Sequence, residues 1–123
     1  MIIGIGTDII EINRIERVMM RTSSFLDKSF TDNEIEYFKL KGLKGNVIAG
    51  NFAAKEAISK ALGTGFRGFG LKDIEVLRDK LGKPVVNLSN KVYKILDLKE
   101  FNMYVSISHS KENAIAYAVM EVI

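Results

Sequence analysis

The sequence predicts an α+β fold, a mostly antiparallel sheet packed against helices in one small domain spanning residues 1–123. Three observations lead there. A short apolar run opens the chain, segments with helical spacing and cap signals follow to residue 62, and strand-like runs dominate beyond residue 73. Size and make-up agree with them: 123 residues, 47% hydrophobic and 27% charged, suit a single globular domain with a modest core.

Met1 to Gly6 reads as a buried strand. A helix is expected just after Asp8, with Ile9, Ile12 and Ile15 or Val18 inward and Arg14, Arg17 and Arg21 mostly outward. Thr31-Asp-Asn-Glu34 has the capping-box pattern and opens a helix through about Leu40, which Lys41-Gly-Leu-Lys-Gly45 ends with glycines. The next helix is expected from about Asn46 to Leu62, with Gly63 as its stop and Val47, Ala54, Ile58, Ala61 and Leu62 toward the core. Asp73 to Arg78 and Pro84 to Leu88 flank Asp79-Lys-Leu-Gly82 as a hairpin. Ser89-Asn90 caps a helix to about Leu96. Met103 to Ser108 and Ala114 to Val122 read as strands turning at Lys111-Glu-Asn113, and the nearly all-apolar second one is expected to be central.

Composition removes several function classes. The chain has no cysteine, so it has no disulfide framework and no thiolate metal site. A single histidine argues against zinc, which usually wants several His or Cys ligands. No apolar run approaches the roughly 20 residues that span a bilayer. The N-terminus lacks the basic leader and long apolar stretch of a signal peptide, so a cytoplasmic setting without membrane attachment is expected. The net charge of +3 is a weak pull toward acidic partners. No RNA-binding motif is present, and no nucleic-acid partner is expected.

The chemistry-bearing residues cluster in a few segments. Glu56 and Lys60 lie one helical turn apart among Ala53, Ala54, Ala57 and Ala61, small residues expected to leave room beside the charges. They read either as an exposed ion pair or as a carboxylate for a hard metal ion beside an ammonium for phosphate. Asp8 reads either as a helix cap or as a metal ligand presented at a strand end. Glu11 reads as a surface acid complementing the helix dipole. Gly63 to Gly70 follows a helix rather than preceding one, so it fits neither phosphate-loop spacing and reads first as a helix stop. Ser106-Ile-Ser-His-Ser110 places His109 among hydroxyls, suited to a turn or core position, a nucleophilic triad or phosphate contact. Any metal site built from these side chains has oxygen ligands only, which selects Mg2+, with Mn2+ as the alternative.

Taken in order, these segments resemble the holo-acyl-carrier-protein synthases, the small class of phosphopantetheinyl transferases. Gly4-Ile-Gly-Thr-Asp8 with Glu11, Ile12 and Arg14 is similar to that family's opening motif, and Phe25-Leu26 and Phe30-Thr31 with Glu34 to its second segment. Phe52-Ala-Ala-Lys-Glu-Ala-Ile-Ser-Lys-Ala-Leu-Gly-Thr-Gly65 is similar to its signature, and Gly82-Lys-Pro-Val85 and Ser106 to Ser110 complete the set. The resemblance implies transfer of phosphopantetheine from coenzyme A to a serine hydroxyl of apo acyl carrier protein, releasing adenosine 3′,5′-bisphosphate, in support of fatty acid biosynthesis. It implies Asp8 and Glu56 as magnesium ligands and Lys60 as a phosphate-contacting lysine that stabilises or protonates the leaving group. The base for the serine is then a carboxylate or a metal-bound water. Gly63, Gly65, Pro84, Ser108 and His109 match regions lining the coenzyme A site. Arg14, Arg17 and Arg21 match the helix that docks the acidic carrier protein. The resemblance further implies a homotrimer with active sites between subunits. One departure stands out: the family commonly has arginine before the aromatic residue of its signature, and this chain has Asn51. The missing cation weakens a phosphate contact, with Lys44 or Lys55 as the candidates to replace it.

Overall fold

The computed structural model describes residues 1–98 and 100–123. The first strand, β1 (Ile2–Glu11), runs directly into α1 (Ile12–Arg21). Two short helices follow, α2 (Phe25–Ser29) and α3 (Asp32–Leu40), and then the long α4 (Gly45–Leu62). The hairpin β2 (Ile74–Arg78) and β3 (Pro84–Leu88) precedes α5 (Asn90–Leu96), and β4 (Asn102–His109) and β5 (Asn113–Glu121) end the chain. β1, β5 and β4 form an antiparallel sheet in that order, with the apolar β5 in the centre as expected. This is the α+β architecture the element order implied.

The register sorts the sheet into two faces. Gly4, Gly6, Asp8 and Ile10 of β1 pair with Met120, Ala118, Ala116 and Ala114 of β5, and this face packs on α4. The helix lies so close that a Cβ on Gly4 or Gly6 would come within 1.9 Å of the carbonyl oxygen of Ala61 or Ala57. Ala53, Ala54, Ala57 and Ala61 are therefore not spacers that leave room beside the charges. All four are buried, and the backbone of β1 lies directly against Ala57 and Ala61. Ile58, Ile74, Val76 and Val92 extend this core, and a second cluster of Ile12, Ile15, Phe30, Phe38 and Ile48 joins α1, α3 and α4.

The first helix begins later than the sequence suggested. Ile9 and Ile10 continue the strand, pairing with Ile115 and Ala114, and Ile9 is exposed rather than inward. Alternation across a sheet holds there because β5 offers a partner through Asn113. Asp8 is thus a mid-strand residue and caps no helix; Glu11 holds the cap position without a side-chain cap bond. The capping box at α3 forms as expected. Thr31 Oγ1 accepts from Glu34 N at 3.2 Å, and Glu34 Oε1 accepts from Thr31 N at 3.0 Å. The five-residue α2 gave no periodic signal because it is little more than one turn. Gly63 ends α4 at φ +79°, with the N–H groups of Gly63 and Gly65 donating to the Lys60 and Ser59 carbonyls.

Candidate active site

β1 and α4 bring the two carboxylates together. Asp8 projects from the helix-facing side of β1, and Glu56 sits mid-way along α4. Both line one cavity of about 340 Å³, with Arg14 and Ile15 of α1 and the rings of Phe25 and Phe52. Burial raises the Asp8 pKa and the Lys60 charge opposes it. Burial also raises the Glu56 pKa, the nearby Asp8 charge adds to the rise, and Lys60 opposes it. The fold thus holds two half-buried anions against each other, an arrangement that gains from a cation between them.

Lys60 completes the group from the rim. Its Nζ donates to the Thr7 carbonyl at 2.9 Å and lies 3.6 Å from Asp8 Oδ1. The simple exposed pair between Glu56 and Lys60 does not form; the ammonium turns toward β1 instead. Among the described residues, no group of three or more His, Cys, Asp and Glu side chains converges for a metal. Asp8 and Glu56 form a two-carboxylate oxygen set. Such a set suits magnesium, whose remaining ligands are usually water and substrate phosphate.

Arg14, Arg17 and Arg21 are all exposed, as their spacing predicted, and Arg14 reaches from this helix face to the cavity mouth. Met20, 87% exposed, offers an adaptable apolar contact where Arg17 adjoins Glu11 and Glu16.

The other expected residues lie elsewhere. Pro84 and His109 line a second cavity of about 400 Å³, with Tyr37, Asn46, Arg78 and Lys83. Ser108 pairs with Ile115 and projects from the opposite face of the sheet. Gly63 and Gly65 have left-handed backbones (φ +79° and +58°) and open space where a Cβ would stand. His109 Nδ1 lies 3.3 Å from the Ser110 carbonyl oxygen and Ser110 Oγ accepts from the turn, so the described contacts make no catalytic triad.

Lys55 cannot replace a missing phosphate contact. Its side chain is fully buried, 2.6 Å from Glu34 Oε1, with the Leu71 and Ile74 carbonyls as further acceptors. Lys44 is exposed and lines a shallow cavity that also contains Asn46 and His109. Sequence reasoning passed over Arg78. Its signal was parity: Ile74 and Val76 alternate inward on β2, which places Arg78 on the same inner face.

Residues 4–118 match the family model of the 4′-phosphopantetheinyl transferase superfamily. The chain is 78% identical over 123 residues to a holo-[acyl-carrier-protein] synthase of Clostridium beijerinckii, covering 100% of both chains. Among solved structures, it is similar to a holo-(acyl-carrier-protein) synthase from Bacillus anthracis in complex with CoA (3′,5′-ADP). That match has 44% identity and a TM-score of 0.82 over 100% of this chain and 99% of the other. It is also similar to the Helicobacter pylori holo-[acyl-carrier-protein] synthase in complex with coenzyme A. There the identity is 34% and the TM-score 0.83 over 95% and 99% of the two chains.

Proposed function

Because this chain belongs to the 4′-phosphopantetheinyl transferase superfamily, we propose that Asp8, Glu56 and Lys60 form the reacting centre of its activity. The chain is a holo-[acyl-carrier-protein] synthase, an enzyme that transfers phosphopantetheine from coenzyme A to acyl carrier protein. The observation that carries the assignment of residues is the convergence of two carboxylates and a lysine where β1 crosses α4.

The serine oxygen of the carrier attacks the phosphorus attached to pantetheine. A new P–O bond forms, the P–O bond to adenosine 3′,5′-bisphosphate breaks, and the serine proton passes to a carboxylate at the centre or to water. Asp8 and Glu56 would hold a magnesium ion, which when bound neutralises charge on the diphosphate. Lys60 Nζ, held beside Asp8 at the rim, would stabilise the charge on the departing oxygen or give it a proton. Arg14 at the cavity mouth, with Arg17 and Arg21 further along the same helix, receives the acidic carrier and guides its serine inward. The cytoplasm is the proposed setting, on the family resemblance.

The coenzyme A contacts expected of Pro84, Ser108 and His109 belong to surfaces other than the carboxylate cavity. A homotrimer accounts for the separation of Pro84 and His109 from the carboxylates, with the donor bound between one subunit's carboxylates and its neighbour's second cavity. The outward sheet face supports that reading. Ile5, Ile9, Tyr104, Ile115 and Tyr117 are each more than 40% exposed there, an apolar surface of the kind subunits cover.

Intact mass of a purified apo acyl carrier protein, after incubation with this protein, coenzyme A and magnesium, tests the assignment. We expect a gain of one phosphopantetheine. Chelator abolishes it, and Asp8→Ala slows it about a hundredfold or more with the fold intact. Unchanged turnover in Asp8→Ala would remove Asp8 from the centre.

A further inference from the structure

α1 carries two exposed stripes side by side. Residues three and four apart share a helix face, so Arg14, Arg17 and Arg21 form one stripe and Asn13, Glu16 and Met20 the next. On one side Arg14 borders the carboxylate cavity. On the other side the basic stripe stops, because Arg17 shares an open cavity of about 530 Å³ with Glu11 and Glu16. Glu16 is not a freely solvated acid. Its side chain lies against Gly45, the buried first residue of α4, where a Cβ would stand 2.5 Å from Glu16 Cγ and 2.7 Å from its Oε2. α4 has no acidic residue in its first turn, and Lys44 before it makes no side-chain cap bond. The free N–H groups of that turn favour an anion beside them, and Glu16 supplies one. Among the described residues Glu16 forms no ion pair, either with Arg17 or with the exposed Lys44 and Lys111 that line a further cavity with it. The fold thus holds an unpaired carboxylate at the border of the arginine stripe.

An acidic carrier that lies on the arginines meets this border. A carrier whose negative residues follow one line is held by the stripe alone. One whose acidic surface spreads wider brings its charge against Glu16, and like charges juxtaposed at an interface suppress the wrong partner. We propose that Glu16 is a specificity determinant for the carrier protein, a fixed charge that turns away acceptors whose acidic surface extends past the arginine stripe. The inference rests on the transferase reading above and on docking of the carrier at α1. It concerns which acceptor is taken and leaves the attack on phosphorus untouched.

The test is a charge-reversal cycle. Glutamate is introduced singly at exposed neutral positions around the modified serine of one apo acyl carrier protein, and kcat/KM for each variant is measured at low salt with coenzyme A saturating. We expect one or more of these positions to lose about twofold to fivefold with the wild-type enzyme, mainly through KM for the carrier, as exposed like charges imply. Glu16→Lys restores those positions selectively, and Glu16→Gln, which keeps the side-chain shape, restores part. Loss and recovery both fade as ionic strength rises. Arg21→Glu is the control for docking and lowers kcat/KM for every carrier variant. With that control in place, a scan in which no position responds to Glu16 overturns the proposal and leaves Glu16 as a counter-charge to the end of α4, visible only in thermal melts. An Arg21→Glu enzyme with the wild-type KM for the carrier overturns docking at α1 instead. Failure of the wild type to modify any carrier overturns the transferase assignment itself.

Discussion

Glu34 shows how one residue can be partly legible. The pattern Thr31-x-x-Glu34 marked it as a capping acid, and its Oε1 does accept from the Thr31 N–H. The same oxygen also accepts from Lys55 at 2.6 Å, and Oε2 from the Val76 N–H at 3.0 Å. These partners lie 21 and 42 residues away, beyond any local pattern. Lys55 misled for the same reason, since a lysine on a helix reads as solvated until its neighbours are known. Burial lowers its pKa, and the Glu34 charge opposes that shift. Removing the ammonium leaves the buried Glu34 charge without its counter-ion and takes a donor from two carbonyls. Lys55→Met is therefore expected to destabilise the fold by about 3–5 kcal/mol, read from the midpoint of chemical unfolding. A loss below about 1 kcal/mol would mean that the buried pair adds little beyond its apolar volume.

At the scale of elements, the contact of β1 with α4 determines the site. Long elements with strong signals were legible: α4 and its glycine stop, the capped α3, the hairpin, and the central β5. The boundary between β1 and α1 was not, because Ile9 and Ile10 suit a helix or a strand and only pairing with β5 decides. Asp8 and Glu56 were both singled out from sequence, but their meeting depends on the glycine seam. Gly6→Ala would drive a Cβ into the Ala57 carbonyl. We expect a loss of about 1–3 kcal/mol in stability from the overpacking. Separating the carboxylates by about 1 Å should also cost about a hundredfold in kcat. Thermal melts and steady-state kinetics measure the two effects. A stable variant with full activity would show that the strand and helix need not touch so closely.

For the whole molecule, composition suggested a small, slightly basic domain and nothing about association. The exposed residues Ile5, Ile9, Ile115 and Tyr117 come from two distant segments, and only the sheet register puts them on one face. If subunits cover this face as proposed above, a charge introduced there keeps the protomer folded and prevents the assembly. Tyr117→Lys is expected to sediment as a monomer and to lose at least about tenfold in activity as half-sites lose their partners. An active monomer would place the whole donor site within one chain. The division between the carboxylate cavity and the Arg78 cavity reaches as far as genetics. If each working centre draws one half from each of two neighbours, an allele lacking Asp8 and an allele lacking Arg78 damage different halves. Carried in one cell, the two defective copies would rebuild some intact centres between them, and growth would return where neither allele alone sustains it.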